Sequence, residues 1–125
     1  LIYDKLLRRF GIDRARQYLC AQKAALQKYR ELCSGMDCDF EEKDAYVYAL
    51  EEQRKLEQEL SAMERLGFHG DFVEHLPLPF PVAGAVRVHN QAQFHPLKFV
   101  CCLAKGLHIY EHTPVRELIG TKVQI

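Results

Sequence analysis

The residues of this sequence that could bind a metal ion or attack a substrate are its six histidines and five cysteines. They are His69, His75, His89, His95, His108, His112, Cys20, Cys33, Cys38, Cys101 and Cys102. No histidine pair forms the H-E-x-x-H motif, no two cysteines form C-x-x-C, and no combination has zinc-finger spacing. We therefore expect no metal site, and we interpret the histidines as solvated. The odd number of cysteines favours reduced thiols over a disulfide framework.

Nucleophilic or acid–base catalysis has little support in the residue pattern. A thiol enzyme using Cys101 or Cys102 is one alternative, but both lie within a predicted helix and neither has an evident base. The acids Glu41, Glu42 and Asp44 precede a predicted strand, where a solvated loop is more common than a general-acid pair. Neither G-x-S-x-G nor G-x-G-x-x-G occurs in the 125 residues. The residues alone thus leave the catalytic groups unknown.

Composition and charge exclude several functions. Lys plus Arg and Asp plus Glu number 17 each, so the formal net charge is zero. This argues against a nucleic-acid or anionic-membrane surface as the main partner. No apolar run approaches the roughly 18 residues that a membrane helix needs. At 48% apolar residues, the chain is suited to one soluble domain with a core.

Apolar spacing and turn residues predict an α+β fold, with helices packed on a mixed sheet. The predicted helices are Leu1–Phe10, ended by Gly11, then about Arg14–Leu32, and Glu51–Leu66. In the last of these, Leu56, Leu60, Met63 and Leu66 are expected to be buried and Glu59 solvated. The predicted strands are Ala45–Leu50, Ala83–His89 and a short piece at Phe72–Val73. The polar segments 39–43 and 90–93 are expected to be loops, and Leu76–Pro81 an extended connector.

The clearest local pattern lies between Phe94 and Val115. Pro96 suits the first turn of a helix and Gly106 the position just past its end. An apolar face follows from Leu97, Val100, Leu103, Ala104 and Leu107. Alternation then predicts a strand over residues 107–111, with His108 and His112 flanking Tyr110, and Pro114 ends it. Residues 117–119 and 123–125 flank Gly120-Thr121, which indicates a β-hairpin.

Two of these segments resemble the D-amino-acid oxidase family, FAD-dependent oxidoreductases that include glycine oxidase and sarcosine oxidase. They are Gln91–Phe99 (Q-A-Q-F-H-P-L-K-F) and Ile109–Val115 (I-Y-E-H-T-P-V). Leu1–Leu6 (L-I-Y-D-K-L) and Cys38–Tyr46 (C-D-F-E-E-K-D-A-Y) resemble a bacterial branch in which some members carry a C-terminal Rieske iron–sulfur domain. The resemblance covers nearly the whole chain and is strongest from Asn90 to Val115.

The resemblance implies an interior fragment of a cytoplasmic flavoenzyme. Residues 1–88 would belong to its substrate-binding lid domain and residues 89–125 to its FAD-binding domain. Val115 matches the position whose backbone meets the FAD adenine. The substrate would be an amine or amino-acid-like molecule, oxidised by hydride transfer to the flavin. The family's phosphate-binding glycine segment would lie upstream, so the fragment alone is expected to be inactive and to hold no FAD tightly.

A different class of function stays open: a standalone ligand- or protein-binding module without catalysis. A G-x-G-x-x-G segment encoded upstream would favour the oxidoreductase, whereas a natural start codon at Leu1 would favour the module. Under either interpretation, exposed strand edges could pair two copies into a homo-oligomer.

Overall fold

A computed structural model describes residues 2–124, which form an α+β fold as predicted. The elements in chain order are α1 (Tyr3–Cys33), β1 (Glu41–Ala49), α2 (Gln53–Arg65), β2 (Asp71–Val73), β3 (Gly84–Gln93), α3 (Pro96–Ala104), β4 (Glu117–Ile119) and β5 (Lys122–Gln124). The strands form an antiparallel sheet of order β1-β3-β2 and a separate β4-β5 hairpin. No helix within residues 2–124 is long and apolar enough to cross a membrane.

Helix α1 contains the break that its glycine predicts. Gly11 has φ 78° and ψ 175°, outside the helical region, and the helix resumes directly after it. A positive φ of this kind favours glycine, because other residues carry a Cβ that crowds the backbone. Beyond the break, the buried Ala15 and Leu19 pack against Leu66 and Phe68. This contact joins α1 to the end of α2.

The prediction that Glu59 is solvated is wrong. Its side chain is buried, with 5% exposure, and its carboxylate accepts hydrogen bonds from the backbone N–H groups of Ile2, Tyr3 and Asp4 at 2.8, 2.9 and 2.9 Å. The first N–H groups of a helix have no partner within the helix and attract negative charge. Glu59 of α2 therefore caps α1 from 55 to 57 positions away.

The rest of α2 packs as its apolar spacing predicts. Leu56 and Met63 are fully buried against Val86 at the centre of β3. Beside this cluster, β2 and β3 approach closely at Gly84, whose φ is 137°. A Cβ at that position would lie 2.5 Å from Cζ of Phe72. The main core therefore lies between α2 and one face of the three-stranded sheet.

The sheet is longer than predicted. Residues 90–93 were expected to form a polar loop, yet Gln91, Ala92 and Gln93 pair with Lys43, Glu42 and Glu41. The segment 41–43, also expected to be a loop, is the first part of β1. Polar side chains are acceptable here because this end of the sheet is largely exposed, so backbone pairing outweighs their low strand preference.

Helix α3 begins and ends where its local signals predict. His95 Nδ1 accepts from the Lys98 N–H at 3.3 Å, Pro96 occupies the first turn, and Gly106 has φ 83°. Phe99 is the buried residue of this helix, and it packs against Cys33 and Cys38. The apolar face predicted from the spacing points elsewhere. Its members Leu97, Val100 and Leu103 are 66%, 58% and 44% exposed.

The strand predicted over residues 107–111 is wrong. That segment is irregular and unpaired within residues 2–124, and Ile109 and Tyr110 are exposed. Alternation alone makes no strand, because a strand requires a neighbouring backbone to complete its hydrogen bonds. The hairpin that follows is confirmed: Leu118 pairs with Val123 across Gly120. Ile125 lies outside the described residues.

Candidate functional site on the open face of the sheet

The face of the sheet turned away from α2 carries a group of charged and aromatic side chains. Tyr46 and Asp71 both lie opposite Arg87, on either side of the central strand β3. Directly opposed residues of antiparallel strands share a face. Val86, directly before Arg87, points into the core. Because side chains alternate along β3, Arg87 lies on the opposite side. We call this side the open face.

A chain of ion pairs runs across the open face. An Arg87 terminal nitrogen lies 2.8 Å from Asp71 Oδ2. His89 lies between two carboxylates, with Nε2 2.7 Å from Asp71 and Nδ1 2.9 Å from Asp44. Ionised carboxylates only accept hydrogen bonds, so the ring form that can donate to both is the cation with a proton on each nitrogen. These four residues therefore form an alternating row of two cations and two anions.

The pKa values of the row respond to these contacts. The hydrogen bond with Asp71, together with the negative charge of Asp44, raises the pKa of His89 above its ordinary value. Hydrogen bonds from Arg87 and then His89 lower the pKa of Asp71. Each shift favours the charged form. All of these groups are solvent-accessible, so water and salt screen the attraction.

A β-bulge brings Asp44 into the row. Lys43 pairs with Gln91 and Ala45 with Val88, so two residues of β3, His89 and Asn90, lie opposite the single Asp44. Asn90 has φ 57°, a left-handed conformation that asparagine tolerates better than most residues. Bulges redirect side chains and are frequent next to functional sites.

Arg30 of α1 holds the bulge from the other side. Its guanidinium donates to the Asn90 carbonyl at 2.6 Å and pairs with Glu42 at 2.8 Å. The bulge is therefore fixed by a side chain from a different element, and the position of His89 depends on it.

Two features give the open face binding capacity. Tyr46 and Tyr48 are about half exposed, and the ring of Tyr48 lies 5.9 Å from that of Phe80 in the proline-rich connector. The Nε of Arg87 is buried and has no hydrogen-bond partner among residues 2–124. A buried donor without an acceptor costs about 1–3 kcal/mol. The Nε itself is closed to solvent, whereas the Arg87 side chain as a whole is 35% exposed and lies opposite Tyr46, so a ligand oxygen can approach the exposed part of the guanidinium beside an aromatic ring.

The sequence pattern predicted only part of this site. The predicted strand Ala83–His89 contains Arg87 and His89, but the sequence indicates only a solvated loop acid at Asp44 and a solvated histidine at His89. The role of Asp71 was missed, because only the pairing of β2 with β3 places it beside Arg87. No group of three or more His, Cys, Asp or Glu side chains in the described part of the chain is arranged to hold a metal ion.

Val115, the residue expected at a cofactor edge, lies apart from this row in sequence and in secondary structure. It belongs to the irregular segment before β4, and its side chain is 60% exposed. Its backbone N–H has no hydrogen-bond partner within residues 2–124. The next residue, Arg116, already bonds to Gln124 across the hairpin at 2.9 Å. The amide of Val115 is thus the last open donor before that hairpin.

The cysteines do not form a catalytic arrangement. All five are free thiols. Burial, followed by a hydrogen bond with Cys38, raises the pKa of Cys33 and so disfavours its thiolate. The Cys102 thiol of α3 donates to the Asp37 carbonyl at 3.9 Å, and no basic side chain in the described range is hydrogen-bonded to Cys101 or Cys102. Nothing in these contacts activates a thiol nucleophile.

Comparison with known proteins gives a family match over most of the chain. The model of the family described as FAD dependent oxidoreductase (DAO) matches residues 5–125. A Bacillus subtilis (strain 168) protein is described as "Putative Rieske 2Fe-2S iron-sulfur protein YhfW". It is 36% identical to this chain over an alignment of 127 residues, and the alignment covers 94% of this chain. The match spans 25% of that relative, so the chain corresponds to about a quarter of its length. No solved structure matches the chain.

Proposed function

This chain belongs to the family of FAD-dependent oxidoreductases, and we propose that it forms part of a larger flavoenzyme that oxidises an amine or amino acid. The family match across residues 5–125 carries this proposal. When bound, FAD supplies the hydride-accepting chemistry. The side chains of this segment bind and orient the substrate and contact one edge of the cofactor.

We divide the segment at residues 88 and 89. Residues 1–88 belong to the substrate-binding lid and residues 89–125 to the FAD-binding domain, with β3 continuing across the division to Gln93. The uncovered apolar face of α3 supports the second part. Leu97, Val100 and Leu103 are 66%, 58% and 44% exposed. A helix with such a face usually packs against a further layer of its domain.

The open face is the wall that meets the substrate. Arg87, whose side chain is 35% exposed, binds the substrate carboxylate, since a guanidinium pairs well with a planar carboxylate. Tyr46 and Tyr48 contact the apolar part of the substrate. Asp71 and His89 hold the guanidinium in place from the other side. In this role Asp71 and His89 are positioning residues.

Val115 fits a contact with the adenine of FAD. Its N–H has no partner within residues 2–124, so it is available to donate to an acceptor atom of the adenine. Its exposed side chain is small and apolar, so a planar ring can lie close to the backbone. No phosphate-binding glycine segment is among the 125 residues, and we propose that they neither hold FAD tightly nor turn over alone.

The relative's description extends the proposal to an electron acceptor. We propose that the larger protein carries a Rieske-type iron–sulfur domain, as the name of the B. subtilis relative suggests for that protein, and that it works in the cytoplasm. Iron and acid-labile sulfide in the purified larger protein would support this. Their absence from a preparation that retains flavin would contradict it.

Self-association is a further part of the proposal. Strand β1 is an outer strand of the sheet, nine residues long and largely exposed, and such edges can pair between two copies. A mass that rises with concentration in size-exclusion chromatography would support a homo-oligomer. A constant monomer mass would contradict it.

Steady-state kinetics of an Arg87→Met variant in the flavin-containing protein tests the substrate site. We expect KM for amino-acid substrates to rise about tenfold or more, since a charge-assisted pair contributes at least about 1.4 kcal/mol. An amine without a carboxylate should show little change. Arg54→Met on α2 is the matched control, because Arg54 is exposed and its helix packs on the opposite side of the sheet. Equal effects of Arg87→Met on both substrates would refute the carboxylate contact.

A further inference from the structure

A hollow separates the middle of α1 from the helix-covered face of the sheet. Helix α1 packs tightly near Leu19, against Leu66 and Phe68, and again near its end, where the Tyr29 ring lies 5.1 Å from Phe94. Between these two contacts lies a cavity of about 340 Å³. The hollow is open to solvent, since Ala25 and Ala45 on its two walls are exposed.

The hollow has the lining and the size of a small-molecule site. Ala45 and Val88 of the sheet, Leu26 of α1 and Phe68 give it an apolar surface. Its volume lies within the range of about 300–1,000 Å³ typical of ligand pockets. It is on the opposite side of the sheet from the open face, so a ligand here would be separate from the proposed substrate.

The charges around the hollow are one-sided. A second hollow of about 470 Å³ adjoins it and shares Lys23, Leu26 and Phe68 with it. Arg30 and His69 line this second hollow, as does His89, whose ring pairs with Asp71 and Asp44 on the open face; no carboxylate lines either hollow. In a chain with 17 acidic and 17 basic residues, basic residues therefore outnumber acidic ones in the lining of the two hollows.

Lys23 is the cation that remains available. Arg30 is paired with Glu42, and His89 with Asp71 and Asp44. Lys23 has no ion pair within residues 2–124; its ammonium lies over the Phe68 ring, 5.3 Å from the ring centre. The Lys23 ammonium and the Phe68 ring beneath it thus lie beside an apolar hollow. Such an arrangement complements a ligand that has an apolar body and an anionic end.

We propose that this hollow binds a small organic carboxylate with an aromatic or branched aliphatic body. The body lies between Leu26 and Val88, and the carboxylate pairs with Lys23. The site acts independently of the flavin chemistry, and its occupancy would brace the middle of α1 against the sheet.

A methyl NMR titration with naphthylacetate tests the site, with naphthylacetamide as the neutral match. We expect the Leu26, Ala45 and Val88 methyl resonances to shift, and the amide to bind about threefold to tenfold more weakly than the carboxylate. Lys23→Gln should remove that difference. Lys28→Gln should preserve it, because Lys28 pairs with Glu31 on the exposed side of α1.

Filling the hollow supplies a second readout. Ala45→Phe from the sheet side and Ala25→Phe from the helix side should each weaken both compounds more than about tenfold, and either variant suffices if the other fails to fold. The proposal is overturned if naphthylacetate shifts no methyl resonance around the hollow, or if it shifts those of Leu97 and Val100 on α3 instead. Equal affinities for carboxylate and amide in the unsubstituted protein would also overturn it.

Discussion

Replacing Glu59 should destabilise the fold far more than its place in a highly charged helix suggests. In Glu59→Ala, three N–H groups at the start of α1 lose an acceptor that lies 2.8–2.9 Å away. Hydrogen bonds to charged groups contribute about 1.5–3 kcal/mol each, but water can reach this helix end and replace part of the loss. Loss of a cap costs about 0.5–2 kcal/mol, and loss of the favourable charge about 0.3–1 kcal/mol. Together these two terms give an expected loss of about 1–3 kcal/mol in the free energy of unfolding.

Glu59→Gln separates hydrogen bonding from charge. Its amide oxygen can replace Oε1, which accepts from both Ile2 and Tyr3, but the amide nitrogen cannot accept from Asp4. The expected cost is about 1–2 kcal/mol, between the parent protein and Glu59→Ala.

Urea unfolding followed by circular dichroism measures these differences, provided the slope of the transition is unchanged. Glu57→Gln is the control, since Glu57 is exposed and bonds only to Gln53 of its own helix; it should cost less than about 0.5 kcal/mol. If Glu59→Ala also costs less than about 0.5 kcal/mol, the capping role is refuted.

Three further predictions concern the sheet and α3. In His89→Gln, the loss of Tm should be largest below the ordinary histidine pKa of 6.5 and should shrink as pH rises through the raised pKa of the folded state; a loss that stays constant across this range contradicts the ion-pair row. Gly84→Ala should cost about 2 kcal/mol or more, because its Cβ would lie 2.5 Å from Phe72 at a φ of 137°; unchanged urea unfolding would contradict this contact. Phe99→Ala should lower the free energy of unfolding by about 3–5 kcal/mol. Val100→Ala should leave the stability of this chain nearly unchanged, but it should destabilise the larger protein, where the α3 face would be covered. Equal effects of Val100→Ala in both proteins would show that the face stays uncovered.

Features encoded by neighbouring residues were predictable from the sequence. Pro96 and Gly106 mark the two ends of α3 because each restricts or permits backbone angles directly. Gly11 interrupts α1 for the same reason. The hairpin around Gly120 follows from a turn between two short apolar segments.

Features that depend on distant contacts were not predictable. Glu59 has the residue type of a solvated helix face, and only the position of α1 makes it a cap. The row of Asp44, Asp71 and His89 requires both the bulge and the β2–β3 register. The helical spacing of α3 was correct, but it could not tell which apolar side is covered, and Phe99 proved to be the buried one.

The central claim is that this chain is part of an enzyme that transfers a hydride from an amine or amino acid to FAD. The most direct measurement is the visible absorption spectrum of the purified larger protein, taken before and after anaerobic addition of glycine, sarcosine and D-amino acids. We predict a flavin spectrum that is bleached by at least one of these compounds, and no flavin spectrum from the 125 residues alone. A larger protein that binds no flavin, or whose flavin none of these compounds reduces, would contradict the claim.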